Sequence, residues 1–255
     1  MRITETAIPG LLIIDLDVHG DNRGWFKENW QREKFTGLAP ELASFQPVQN
    51  NISFNHAGAT RGLHAEPWDK LVSVAQGKIF GAWCDLREGS ESFGEVVTHE
   101  VGPETAVFVP RGVANGFQAL EETSYCYLVN EHWSAEARYA AVNLNIVDWP
   151  LEPTEISEKD TQHPALEDVS PMPARRILVT GANGQLGRAL KRLLTDAEFC
   201  SHADFDITDP PERNWKQYSA IINCAAYNDV NGAENDRAAA WAVNAEAPAR
   251  LARIA

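Results

Sequence analysis

One break in hydrophobic rhythm constrains this chain more than any other feature. Up to Pro150 the apolar residues come in short runs, and after Pro173 they follow a repeat of strand, glycine turn and helix. The first part is punctuated by Gly10, Gly20, Gly24, Gly89, Gly102-Pro103, Pro110 and Gly112, which predicts many short antiparallel strands. We place strands at 11–17, 70–75, 79–86, 95–101, 105–109 and 124–129, with Gln76-Gly77-Lys78 as a hairpin turn. A sandwich or barrel of the jelly-roll kind closes such strands. Beyond Pro173, residues 175–180 form an apolar strand ending at a glycine turn, and 188–194 repeat apolar residues at helical spacing. Further strands are expected at 203–207 and 220–225, and a helix over 236–255. That order begins a doubly wound parallel sheet, which in full uses about six strands. The chain is therefore predicted to hold two domains: an all-β jelly roll over 1–172 and a partial α/β Rossmann domain over 173–255.

Charge and cysteine usage narrow the partners. A formal charge of −14 argues against nucleic acid or an anionic membrane, which require clustered Lys and Arg. It leaves a nucleotide ligand open, because a diphosphate needs only a few local cations or backbone N–H groups. No run approaches the roughly 20 apolar residues of a membrane span. Cys84, Cys126, Cys200 and Cys224 are widely spaced, without a Cys-x-x-Cys pair or a charged and apolar leader before them. They predict reduced thiols in a soluble cytoplasmic protein.

Two stretches carry chemistry. In Gly181-x-x-Gly184-x-x-Gly187, enclosing Asn183, Gln185 and Leu186, the first glycine permits the turn. The second lets the backbone approach a pyrophosphate, and the third packs helix on strand. Asp204 and Asp206 are expected to end the next strand, near the adenosine half of a dinucleotide. In the first part, His64 is accompanied by Arg61, Gly62, Glu66 and Lys70. The spacing offers no His-x-His arm and no other His or Cys is near in sequence, so a base without a metal fits better than a metal ligand.

The first part also carries Gly20-Asp21-x-Arg23-Gly24-Trp25-Phe26-Lys27-Glu28, Gln49-x-Asn51, Arg61-Gly62-Leu63-His64, Lys70-Leu71-Val72, Cys84-Asp85-Leu86-Arg87, Phe108-Val109-Pro110-x-Gly112-x-Ala114-x-Gly116-Phe117, Tyr127, Trp149-Pro150 and Ser157-x-Lys159-Asp160. In this order, over residues 1 to about 170, it resembles dTDP-4-dehydrorhamnose 3,5-epimerase. The resemblance implies a jelly-roll cupin, a homodimer formed through the jelly roll, no cofactor or metal, and dTDP-4-dehydro-6-deoxyglucose as substrate. By position, His64 would be the base at C3 and C5, and Asp160 would pair with it and raise its basicity. Lys70 would face the enolate oxygen, and Tyr127 would return the proton from the opposite face. Arg23, Phe26, Glu28, Gln49, Asn51, Arg61, Asn115, His132, Trp133 and Lys159 would hold nucleotide and sugar.

Four positions depart from the family pattern. Gly81 stands where the family often has Asp, Asn115 where it has His, Glu66 where it has Gln, and His132-Trp133 where it has Tyr-Tyr. Gly81 and Asn115 are expected to weaken the support of Lys70 or the grip on the diphosphate.

The second part resembles the N-terminal half of dTDP-4-dehydrorhamnose reductase, an extended short-chain dehydrogenase/reductase. The likeness runs through 177–187, Asp206-Ile207-Thr208-Asp209, Ile222-Asn223-Cys224-Ala225-Ala226-Tyr227 and Val243-Asn244-Ala245. It implies NADPH or NADH as cofactor, with contacts from the glycine loop, Asp206, Ile207, Ala225 and Ala226. The family's Tyr-x-x-x-Lys pair lies downstream of these residues, so an epimerase fused to an incomplete reductase is expected. Two other readings stay open. One is a catalytically weak sugar-nucleotide binding module; the other is a metal-dependent cupin of unrelated chemistry, against which the missing His-x-His counts.

Overall fold

The computed structural model describes residues 1–254, and the chain divides into two units after Pro173. In the first unit the strands are β1 (Arg2–Glu5), β2 (Leu12–Asp15), β3 (Val18–Asp21), β4 (Gly24–Lys27), β5 (Gln49–Asn55), β6 (Thr60–Ala65), β7 (Lys70–Gln76), β8 (Ile79–Asp85), β9 (Val96–Val101), β10 (Thr105–Val109), β11 (Val113–Ala119), β12 (Thr123–Val129) and β13 (Ala140–Ala141). They form a six-stranded sheet, β1-β2-β10-β7-β12-β5, a five-stranded sheet, β13-β6-β11-β8-β9, and a separate β3-β4 hairpin.

Strand periodicity explains how the two sheets pack. Successive side chains point to opposite faces, so Val72 and Val74 of β7 and Ile79 and Trp83 of β8 meet in one core shared by both sheets. The alternate residues point the other way. Leu71, Ala106 and Phe108 pack under Phe35 and Leu42 of two short helices, α1 (Arg32–Thr36) and α2 (Pro40–Ala43). Ala82, Cys84 and Ala114 are covered by Val142, Val147, Val169 and Met172. With both faces covered, β10 and β11 are buried at every position, and β10 is apolar without alternation after Thr105.

The predicted strand at 105–109 matches β10 residue for residue, and those at 70–75, 79–86, 95–101 and 124–129 lie within a residue of β7, β8, β9 and β12. Besides the short β1, β3, β4 and β13, the strands β5, β6 and β11 were not predicted. β5 reads Gln-Asn-Asn-Ile-Ser-Phe-Asn, and a glycine interrupts each of the other two.

Asp85, at the end of β8, is fully buried and is the polar anchor of this unit. It accepts hydrogen bonds from Arg87 Nη2 at 2.7 Å, Ser90 Oγ at 2.7 Å and Ser92 Oγ at 2.6 Å. Burial alone would raise its carboxyl; the bonds from Arg87, Ser92 and Ser90 overcome that and hold it at about 2, below the ordinary 3.8. Since the folded-state value is depressed, this contribution of about 2 kcal/mol is present above pH ~4 and fades as pH falls toward 2. Asp85→Asn is expected to lose about 2–4 kcal/mol at pH 7. In urea titrations the gap to the parent should narrow between pH 5 and pH 3; a constant gap would exclude an ionised Asp85 as the anchor.

The second unit has a parallel sheet in the order β15-β14-β16, from β14 (Arg176–Thr180), β15 (Glu198–Cys200) and β16 (Tyr218–Asn223). Here two expectations are corrected. The second strand is β15, and residues 203–207 lie in turns, because Asp204 accepts from Ser201 N and Oγ while Asp206 accepts from Thr208 N and Oγ. Carboxylates that bond backbone N–H groups nearby favour turns over ladders. The first helix is α4 (Gln185–Leu190), earlier and shorter than predicted. The predicted helix over 236–255 becomes α6 (Arg237–Trp241), a π-helical turn and α7 (Ala247–Ile254), preceded by α5 (Val230–Asn235). Ala255 lies outside the described residues.

Candidate active site

A cavity of about 620 Å³ opens between the two large sheets, within the range of small-molecule sites. Seven of the residues expected to act or bind line it, namely Asn51, Arg61, His64, Lys70, Asn115, Tyr127 and Asp160, and Glu66 lines it with them. Strand parity delivers most of them. Tyr127 lies on the same face of β12 as Tyr125, which is buried in the shared core.

Arg61 and His64 differ in parity yet face the same cavity. The pairing of β6 with β11 shifts register between Asn115 and Phe117, which makes this possible. Gly62 sits inside the shift at φ 120°, where a Cβ would come within 2.6 Å of Gly116 Cα. The glycines of Arg61-Gly62 and Asn115-Gly116 are therefore a matched pair that lets the two backbones close.

Asp160 arrives from a distant part of the chain on α3 (Glu158–Thr161), whose N-terminus is capped by the Ser157 side chain. Its Oδ1 stands 2.8 Å from His64 Nε2, and its Oδ2 accepts from Gly62 N at 3.1 Å. Burial would raise this carboxyl, but the bonds from His64 and Gly62 prevail and hold it at about 2. An ionised Asp160 fixes the tautomer: Nε2 carries the proton, and Nδ1 keeps its lone pair.

His163 was not expected at the site, although it lies three residues beyond Asp160. Its ring meets that of His64 edge-on at 5.0 Å, and its Nε2 lies 3.8 Å from Asp160 Oδ1. Burial and the facing His64 hold it below the usual histidine value.

Lys70 is buried and pairs with Glu66 at 2.6 Å; its Nζ also lies 4.9 Å from the centre of the Tyr127 ring. Glu66 is positioned in turn by Trp68 Nε1 at 2.8 Å. Burial pushes the Tyr127 phenol up, Glu66 adds to this and Arg61 opposes it. Tyr127 is thus protonated at neutral pH and able to donate.

The departures at 81 and 115 have a common explanation. A Cβ at Gly81 would collide with the indole of Trp83. That same indole donates Nε1–H to Asn115 Oδ1 at 2.9 Å, while Asn115 Nδ2 reaches Tyr125 Oη at 3.1 Å. The counter-charge of Lys70 comes from Glu66 rather than from position 81.

Other predicted residues do not line this cavity. Arg23 is held by Asp21 and Glu28 by Lys34, and Phe26 is exposed on the β3-β4 hairpin. Gln49 bonds Asn51 and receives the Trp133 N–H, whereas His132, Trp133 and Lys159 are exposed. Sequence reasoning also left out Asn55, whose Oδ1 orients Arg61 Nε at 2.8 Å.

In the second unit the glycine loop is tightly constrained. Gly181 has φ 68°, and a Cβ on Gly187 would meet Gly181 O at 2.5 Å. Asn183, Gly184, Gln185, Leu186 and Ala226 are exposed along this edge, with Ala225 partly so. Ile207 is 3% exposed, and its side chain packs in the core with Leu178 and Phe205. The carboxylate of Asp206 is spent on Thr208.

A family model described as dTDP-4-dehydrorhamnose 3,5-epimerase matches residues 5–168, and one described as RmlD substrate binding domain matches 175–255. The chain is 52% identical over 176 residues to a protein of Streptococcus pyogenes named RmlC homolog, covering 65% of this chain and 89% of that one. It is 34% identical to dTDP-4-dehydrorhamnose 3,5-epimerase of Pseudomonas aeruginosa, over 68% of this chain and all of the other. Among solved structures it is similar to RmlC of Streptococcus suis in complex with dTDP-D-xylose, at 47% identity and a TM-score of 0.62, covering 68% of this chain and 94% of that one.

Proposed function

Because the chain belongs, through residues 5–168, to the dTDP-4-dehydrorhamnose 3,5-epimerase family, we propose that His64 and Tyr127 exchange protons at C3 and C5 of dTDP-4-dehydro-6-deoxyglucose from opposite faces of the sugar. The observation that carries this reading is the His64–Asp160 pair, which leaves one imidazole nitrogen basic at the wall of the cavity. The C4 ketone acidifies both neighbouring C–H bonds. His64 Nδ1 accepts the proton, and the imidazolium formed is stabilised by the adjacent carboxylate of Asp160. Negative charge collects on the C4 oxygen, which Lys70 faces as a preorganised cation. Tyr127 then donates its phenolic proton to the other face, so the centre inverts. Acid, base and cation are all side chains, and no cofactor enters this step.

Arg23, Phe26 and Glu28 fit the nucleotide role in a second copy of the chain. They stand away from this chain's own cavity, while β5, the outer strand of its sheet, exposes Ile52 at 68% and Phe54 at 56%. An apolar open edge of this kind invites pairing with another chain, which supports a homodimer.

For the second unit we propose NADPH or NADH binding. The fit rests on Gly181, Gly184 and Gly187, where any side chain would fill the turn or the close approach of α4 to β14. Asn183, Gln185 and Leu186 would line the same loop. A bound cofactor would supply hydride for reduction of the C4 ketone only together with residues downstream of Ala255.

The test is incubation of this 255-residue chain with the substrate in D2O, with and without NADPH. Deuterium is expected at both C3 and C5, with no loss of NADPH. Absence of exchange would overturn the epimerase reading, exchange at a single carbon would restrict it to one centre, and NADPH oxidation would show that reduction needs no downstream residues.

A further inference from the structure

His64, Asp160 and His163 offer three ligand atoms that all lie within 4.8 Å of one another. From this arrangement we infer that the base doubles as an inhibitory site for a divalent zinc-class cation. His163 follows Asp160 by three residues, and the fold brings both to His64.

Three observations support the site. The donor set is two imidazoles and a carboxylate, the residue types that hold zinc in three-ligand protein sites. The distances are close to what the ion needs. Zinc–ligand bonds of about 2.0–2.2 Å place two tetrahedral ligands roughly 3.3–3.5 Å apart. The His64 Nε2 to Asp160 Oδ1 separation is 2.8 Å and that from His163 Nε2 is 3.8 Å, so one opens and the other closes by about half an ångström. Third, the His163 side chain is only 8% exposed and its Nδ1 has no hydrogen-bond partner.

Occupancy would silence the base through its tautomer. Zinc takes the lone pair of Nε2, so that nitrogen must give up its proton, and the neutral imidazole carries its single proton on Nδ1 instead. No net proton is lost, but Nδ1 is the nitrogen that would receive the substrate proton. The inhibition rests on the proposed role of His64, whereas the binding does not.

The two parts can be tested separately. Cobalt(II) titrated into the whole chain should give the visible absorption bands of a tetrahedral site at one equivalent, displaced by Zn²⁺. Solvent deuterium exchange into the substrate should fall at least tenfold with excess Zn²⁺ and return with EDTA. In His163→Phe, and in His163→Asn if the first does not fold, the cobalt bands should be lost, and each variant's own exchange rate should need at least tenfold more zinc for half inhibition. Absence of the bands in the parent, or an unaltered response in a folded His163 variant, would overturn the site. Bands without inhibition would retain the metal site and overturn the role of His64 as base.

Discussion

His64→Gln is expected to lower solvent deuterium exchange into C3 and C5 by about 10²–10⁴-fold, the usual contribution of a positioned general base. Glutamine keeps a polar group beside Asp160 and approximates the length of imidazole, so the loss would report basicity rather than collapse of the cavity. Because Asp160 also accepts from Gly62 N, the β6 backbone stays tethered in the variant. Mass spectrometry of the product in D2O reads the outcome directly. Exchange at the parental rate in a folded His64→Gln protein would remove His64 from the mechanism.

Tyr127→Phe should separate two events that His64 variants abolish together. The base still removes protons from one face, so deuterium should still enter the substrate, while net inversion should fall by about 10²-fold or more as the opposing acid is lost. The phenyl ring keeps its place on β12 and its packing beside Tyr125, whose ring lies 5.8 Å away. Proton NMR distinguishes retained from inverted product. Full epimerisation by this variant would exclude Tyr127 as the acid.

The chemistry of the first unit was more legible than its strands. The strand from 105 to 109 is apolar at every position after Thr105 and announces itself, whereas β5 is mostly polar and is recognisable only by its pairing with β12. Motif resemblance carried His64, Lys70, Tyr127 and Asp160 to one cavity, although Asp160 lies far along the chain. It could not reveal His163 or the balancing of Lys70 by Glu66, because both depend on how α3 and the turn before β7 approach β6. In the second unit the glycine loop was legible, since each glycine answers a steric demand. The strand before residue 201 was not, because Glu198-Phe199-Cys200 is too short to show a period and the aspartates that follow it mimic a strand end while making turns.

The collision between a side chain at 81 and the indole of Trp83 makes the two positions conditional on each other. Any residue larger than glycine at 81 requires a smaller one at 83, and that in turn strips Asn115 of its Trp83 donor. Single-substitution scans would score all three sites as intolerant, while combined changes could cross to another arrangement.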